Sequence, residues 1–257
     1  MLLDVARAQQ WRQPSSSATN FALPSQQPSL ISIFIINAQE TQKNQLNKKN
    51  QKTGNWIGYH KETDTRRYNG SFIDGKPVGL FTYYAKEGHV SAKVNFINDS
   101  LSSSEMYFDN GYVMAKGKFI YQMKQGKWFT YSRTGTLLNI FNFDKGAMEG
   151  TQYLYYPAAA ETNSLKIMEE YNCSNGLKNG TWKQYFKSGK VKSEGNYSMG
   201  KRDGVFIYYF ANGTIDTKGS FKNDFKEGNW FYYDGEKSNM KKVIYEKGNL
   251  IEKKNEE

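Results

Sequence analysis

The sequence predicts an all-β fold, an elongated antiparallel meander of about eight β-hairpin repeats of roughly 24 residues, preceded by a disordered N-terminal segment. Three observations carry this reading. A Gly-x-aromatic-x-x-aromatic motif returns at near-constant spacing, a turn dipeptide follows most copies, and no stretch after residue 54 sustains a 3.6-residue apolar period.

The N-terminal segment stands apart by composition. All 23 glycines lie at Gly54 or later, whereas Pro14, Pro24 and Pro28 precede it. Residues 9–29 are rich in Gln, Ser and Pro and residues 40–53 in Gln, Asn and Lys, so neither buries enough apolar surface to offset the entropy of ordering. The expected division is a preface at 1–53, a repeat domain at 54–252 and a charged tail at 253–257. Within the preface, the apolar run Leu30 to Ile36 with Asn37, Ala38 and Gln39 has the form of the core and cleavage end of a secretion signal at 30–39. The run is too short to cross a bilayer as a helix, so no transmembrane helix is expected. It begins about thirty residues from Met1, with Arg12 as the nearest upstream cation. Two readings stay open: export to the periplasm or cell surface, or a buried edge strand or amphipathic segment of a cytoplasmic protein.

The repeat is defined by its spacing. Gly54 and Trp56, Gly79 and Phe81, Gly126 and Trp128, Gly180 and Trp182, Gly204 and Phe206, and Gly228 and Trp230 share one pattern, each pair followed by a tyrosine. Weaker copies are read at Ser104 with Met106 and at Gly150, where Gln152 takes the ring position. The starts are separated by 25, 25, 22, 24, 30, 24 and 24 residues, and every tryptophan except Trp11 occupies the ring position. These residues are structural positions of the repeat. A second ring lies seven residues before the key glycine, as Phe72, Phe119, Phe143, Tyr197 and Phe221, with Cys173 in that place once. Gly75, Gly146, Gly176 and Gly200 precede the key glycine by four and read as tight turns needing positive φ. Glu87-Gly88, Asn110-Gly111, Thr134-Gly135, Ser188-Gly189 and Asn212-Gly213 complete each hairpin.

The unit Gly-x-Phe/Tyr-x-x-Gly-x-x-x-Gly-x-Trp/Phe-x-x-Tyr, best seen from Gly70 to Tyr84 and from Gly195 to Tyr209, resembles the MORN-repeat variant of YwqK-like bacterial proteins. The resemblance implies a meander of hairpins without an active site, a role in scaffolding, protein binding or phospholipid binding, and a toxin-neutralising partner role from the antitoxin label the family often carries. Ser104, Met106, Gln152 and the insertion from Pro157 to Ser164 depart from the pattern.

Charge and chemistry narrow the function. The net charge is +10, but half of the excess sits in residues 41–67, where Lys43, Lys48, Lys49, Lys52, Lys61, Arg66 and Arg67 face only Glu62 and Asp64. Elsewhere both signs intermingle as on an ordinary solubilising surface. The lone Cys173 excludes an intrachain disulfide. As a nucleophile it would need a base, yet His60 and His89 belong to other repeats, and one Cys with two distant His offers no metal-ligand spacing. Ser188-Gly189-Lys190 lacks the upstream glycine of a phosphate loop. Glu169 and Glu170 should point to opposite sides of a strand as solvated carboxylates. No catalytic residue, metal or cofactor is expected, and repeat-locked rings argue against stacking of nucleic acid. The function expected is a non-enzymatic scaffold for a protein partner. The alternatives are an envelope or membrane-surface protein whose Lys43 to Lys52 segment meets anionic lipid, and the toxin-neutralising partner.

Overall fold

The computed structural model describes residues 43–157, 165–235 and 240–256, so the apolar run at 30–36 lies outside the described residues. They form one sheet of 20 strands. In chain order these are β1 (Gln45–Leu46), β2 (Lys52–Tyr59), β3 (Arg66–Ile73), β4 (Lys76–Tyr84), β5 (Val90–Phe96), β6 (Leu101–Tyr107), β7 (Val113–Ile120), β8 (Met123–Tyr131), β9 (Leu137–Asp144), β10 (Ala147–Met148), β11 (Gly150–Tyr155), β12 (Ile167–Ser174), β13 (Leu177–Tyr185), β14 (Val191–Ser198), β15 (Lys201–Arg202), β16 (Gly204–Tyr209), β17 (Ile215–Lys222), β18 (Phe225–Tyr233), β19 (Met240–Glu246) and β20 (Asn249–Glu256). Each strand pairs antiparallel with its chain neighbour. β10 and β15 are first halves of strands that continue as β11 and β16, which pair back to β9 and β14.

Two kinds of turn join the strands, one along each long edge. On one edge, Asp74-Gly75, Tyr121-Gln122, Lys145-Gly146, Asn175-Gly176, Met199-Gly200, Asn223-Asp224 and Lys247-Gly248 all have positive φ at both positions. This is the two-residue type I′ hairpin, whose twist matches that of the strands. On the other edge, Gly88, Gly111, Gly135, Gly189 and Gly213 each close a tight turn by donating to the carbonyl three residues back. The first strand is blocked as an edge: Asn44 donates its backbone N–H to Asn55 O at 2.8 Å, and its side chain takes up both the N–H and the C=O of Ile57. The sheet therefore begins before Gly54.

One face of the sheet is the core. Tyr68, Phe72, Phe81, Val94, Met106, Phe119 and Trp128 belong to one buried cluster, and Trp182, Phe206, Phe221, Trp230 and Val243 to another. Between the clusters lies Gln152, fully buried in the slot that holds a ring elsewhere. Its carbonyl accepts from Asn142 N at 2.7 Å, and its amide donates to Asn142 O, Glu149 O and Gly150 O. The side chain is satisfied, so it costs little to bury, but it adds no ring to the stack.

The copy expected at Ser104 with Met106 sits two residues earlier. Ser102 pairs with Phe119 as Gly79 pairs with Phe96 and Gly126 with Phe143, and Ser104 pairs with Gly117 in the place of Phe81 and Trp128. Neither serine offers a glycine or ring to mark the phase, and the Ile97–Ser100 turn is longer than the two-residue turns of the other copies. With Ser102 in frame, the spacings become 25, 23, 24, 24, 30, 24 and 24 residues.

Candidate binding surfaces

The inner face repeats a three-part device of ring, seat and lid. Each ring lies over the strand before it, eleven residues back, where the side chain is reduced to hydrogen: Gly70 under Phe81, Gly117 under Trp128, Gly195 under Phe206 and Gly219 under Trp230. A methyl group on any of these would fall 2.1 to 2.5 Å from ring carbons. Sizes are inverted where the ring is lost, with Val94 opposite Ser104 and Phe141 in the seat position of Gln152. Trp182 lies against Tyr171 instead of glycine and is less buried, 8% exposed against 1% for Trp128 and Trp230. The indole N–H donates to Lys118 O in Trp128 and to Ser220 O in Trp230, both at 3.1 Å. Phe81, Trp128, Phe206 and Trp230 each also meet the second ring of their own copy edge to face, as Phe119 with Trp128 at 4.9 Å and Phe221 with Trp230 at 5.0 Å.

The key glycines Gly54, Gly79, Gly126, Gly150, Gly180, Gly204 and Gly228 all have positive φ, with open space where a Cβ would go at all but Gly180. Each stands opposite the second ring, or Cys173, of the following copy. These seven glycines share one register. Cys173, buried opposite Gly150, fills a ring slot, and burial pushes its thiol pKa up.

The lid was not legible as such from the sequence. In five copies a cation stands two residues before the key glycine and covers the second ring of the next copy: Lys52 over Phe72 at 4.9 Å, Lys124 over Phe143 at 4.8 Å, Lys178 over Tyr197 at 5.3 Å, Arg202 over Phe221 at 3.9 Å and Lys226 over Tyr245 at 4.9 Å. Lys52, Lys124 and Lys226 also cover the tryptophan of their own copy. The alkyl stems shield the rings from water while the charge stays near it, which is how one layer of sheet keeps a face buried. Burial lowers the Lys124 pKa. The lid carbonyl accepts from the turn of the next copy, as in Gly146 N to Lys124 O at 3.0 Å, tying consecutive copies together.

Glu169 and Glu170 do face opposite sides, but Glu169 is not a solvated carboxylate. It accepts from Trp182 Nε1 at 2.7 Å and pairs with Lys178 at 2.8 Å, with 15% of its side chain exposed. Trp182 uses this carboxylate where the other buried indoles use a backbone carbonyl.

The outer face is polar and half-buried. A row of paired charges, Lys93, Glu105 and Lys116 on one side and Glu170, Lys183 and Glu194 on the other, flanks Phe129, Ile140 and Tyr153. Tyr107, Tyr185 and Tyr209, at the bulge that ends each ring strand, donate to Glu105, Glu170 and Glu194 at 2.6 to 2.7 Å. Burial first, and then the carboxylate partner, pushes each phenol up to about 12. A phenol raised in the fold stabilises it fully below its unfolded pKa near 10 and loses that contribution as pH climbs through 12. The urea midpoint is therefore expected to hold steady to about pH 10 and to fall between pH 10 and 12, with a smaller fall in Tyr209→Phe. Ionisation of these three phenols near pH 10 in the folded protein would contradict this.

The type I′ edge carries a row of exposed apolar tips. Ile73, Ile97, Tyr121, Met199 and Phe225 are 61, 53, 72, 75 and 58% exposed, and Leu177 and Met123 continue the row. Neighbouring hairpins of this edge stand two strands apart, about 10 Å, and the Lys145-Gly146 hairpin interrupts the row. Met123, Leu177 and Phe225 each lie near the turn glycine of the next copy.

His60 lies after β2, where Nε2 meets Tyr84 O at 3.0 Å, and His89 precedes β5, so neither neighbours Cys173 in β12. Among the described residues, no three His, Cys, Asp or Glu side chains gather as a metal site, and no helix is long and apolar enough to cross a membrane. A family model described as the MORN repeat variant matches residues 178–199 and 202–223, two adjacent copies in β13–β17. Such repeats are in general protein- or lipid-binding modules. No curated protein matches the chain.

Proposed function

We propose that this chain is a non-enzymatic repeat scaffold that binds a protein partner through the apolar tips of its type I′ edge. The observation that carries the reading is the row itself: large apolar side chains, more than half exposed in Ile73, Ile97, Tyr121, Met199 and Phe225, stand within or beside the turns of five hairpins on this edge. Large exposed apolar side chains gathered on one edge in this way mark an interaction site. The charges around it alternate in sign, with Lys76 paired to Asp99, Lys222 to Asp203 and Arg202 to Asp224. Such a rim complements a mixed protein surface better than an anionic bilayer, which would also meet the carboxylates. Away from Pro77 and Ser100, the inner face is filled by its own rings and lids.

A photoreactive residue at Tyr121 or Met199, with one at Lys183 on the outer face as control, tests this in the cell of origin. Crosslinks to one protein from both tip positions and not from Lys183 are expected, together with no binding to phosphatidylserine vesicles. Salt-sensitive vesicle binding lost on Tyr121→Ser and Met199→Ser would replace the protein reading with the lipid one.

A further inference from the structure

The lid cation is missing at three copies, with Met148 in its place before Gly150, and the other two are consecutive. The slot that holds Lys52, Lys124, Lys178, Arg202 and Lys226 is filled by Pro77 before Gly79 and by Ser100 before Ser102. Ser100 occupies that slot in the backbone as well, because its carbonyl accepts from Tyr121 N at 2.8 Å as the lid carbonyls accept from their next turns. An open cleft of about 500 Å³ lies here, lined by Pro77, Phe96, Ser100 and Ser102, with Lys76 and Asp99 paired at its mouth. Phe96 is the second ring that a cation in the place of Pro77 would cover. The ring slot beyond the cleft is also depleted: Ser104, two residues further along β6, is 2% exposed and its hydroxyl has no hydrogen-bond partner. The cleft is thus the combined space of two absent lids beside an absent ring, next to an unsatisfied polar atom.

The geometry points to a site for an alkylammonium or guanidinium group, supplied as a free amine or as a Lys or Arg side chain of a polypeptide. The molecule itself shows the bound state five times, with a cation 3.9 to 5.3 Å from the equivalent ring centre. An incoming stem would cover Phe96 as the Lys52 stem covers Phe72, with its charge over the ring and near Asp99. The site rests on the equivalence of the repeats, and Tyr121 of the tip row also lines the cleft.

The test is a nuclear magnetic resonance titration of the whole chain with butylammonium chloride, with butanol as neutral isostere, sodium chloride as salt control and an acetylated, amidated Ala-Lys-Ala peptide as the side-chain arm. Saturable shifts are expected at the Phe96 ring and at the Ser102 and Ser104 amides, with butanol roughly tenfold weaker, as the loss of one cation–ring contact implies. Pro77→Lys and Ser100→Lys, which restore the lid in the chain itself, should each abolish or sharply weaken the response. Saturation by both amine and peptide supports the site, and saturation by the peptide alone supports it with a protein side chain as the source. Equal responses to butanol and butylammonium, no saturable response to either amine arm, or undiminished binding in both folded lysine variants would overturn it.

Discussion

Trp128→Ala is expected to destabilise the protein by about 3–5 kcal/mol, the cost of removing a fully buried aromatic side chain whose surroundings relax only in part. Trp128 is 1% exposed, sits on Gly117, meets Phe119 at 4.9 Å and lies under Lys124. Its loss removes the ring and leaves the lid over a void. Trp230→Ala should behave alike, because its seat, second ring and lid are equivalent. Trp56→Ala should cost clearly less, because Trp56 belongs to the first strand of the repeats and is only partly buried. Urea denaturation followed by circular dichroism ranks the three. Equal losses would mean that ring burial does not set the stability of each copy.

Gly117→Asn and Gly126→Asn separate the two uses of glycine in one copy. Gly126 has φ of 66° with nothing within 4 Å of a Cβ, so its demand is conformational, and Asn tolerates the left-handed region. The loss there should be about 1 kcal/mol or less, and Gly126→Val should cost more. At Gly117 the demand is space, since a Cβ would stand 2.4 Å from Trp128 Cδ2 and Cε2. Asn brings no relief at that position. The expected loss is at least about 3 kcal/mol, the upper part of the range for overpacking, because the ring cannot lift without displacing Phe119 and Lys124. Thermal denaturation of the two variants checks this, and Gly117→Asn as stable as Gly126→Asn would contradict the seat.

Much of this architecture was legible because its causes are local. Positive-φ glycines, paired turns and rings every two dozen residues each leave a mark at a fixed offset, which is why the strands, both turn edges and the ring positions followed from spacing. Two features escaped because their causes cross strands. The Lys-x-Gly-x-Trp spelling at Lys52, Lys124, Lys178 and Lys226 is visible in the sequence, yet only the register shows that each lysine serves the next copy's ring. The phase at Ser102 was hidden because phase is read from glycine and rings, and this copy has neither. The apolar tips also passed unnoticed, since Tyr121 and Met199 look in sequence like strand residues and become exposed only when the type I′ turn places them at the edge. Gln152 read only as a departure from the repeat, whereas four hydrogen bonds make it a satisfied polar break in the ring stack.

Native-state hydrogen exchange, read strand by strand, tests most directly whether rings seated on glycine and covered by cations hold this sheet together. Backbone pairing is continuous from β1 to β20, so pairing alone would protect the interior strands evenly. If the rings decide, the slowest amides lie in β7 and β8 around Trp128 and in β16 to β18 around Phe206 and Trp230, with faster exchange in β10 and β11 around Gln152. Even protection across the interior, or a maximum at Gln152, would contradict that account.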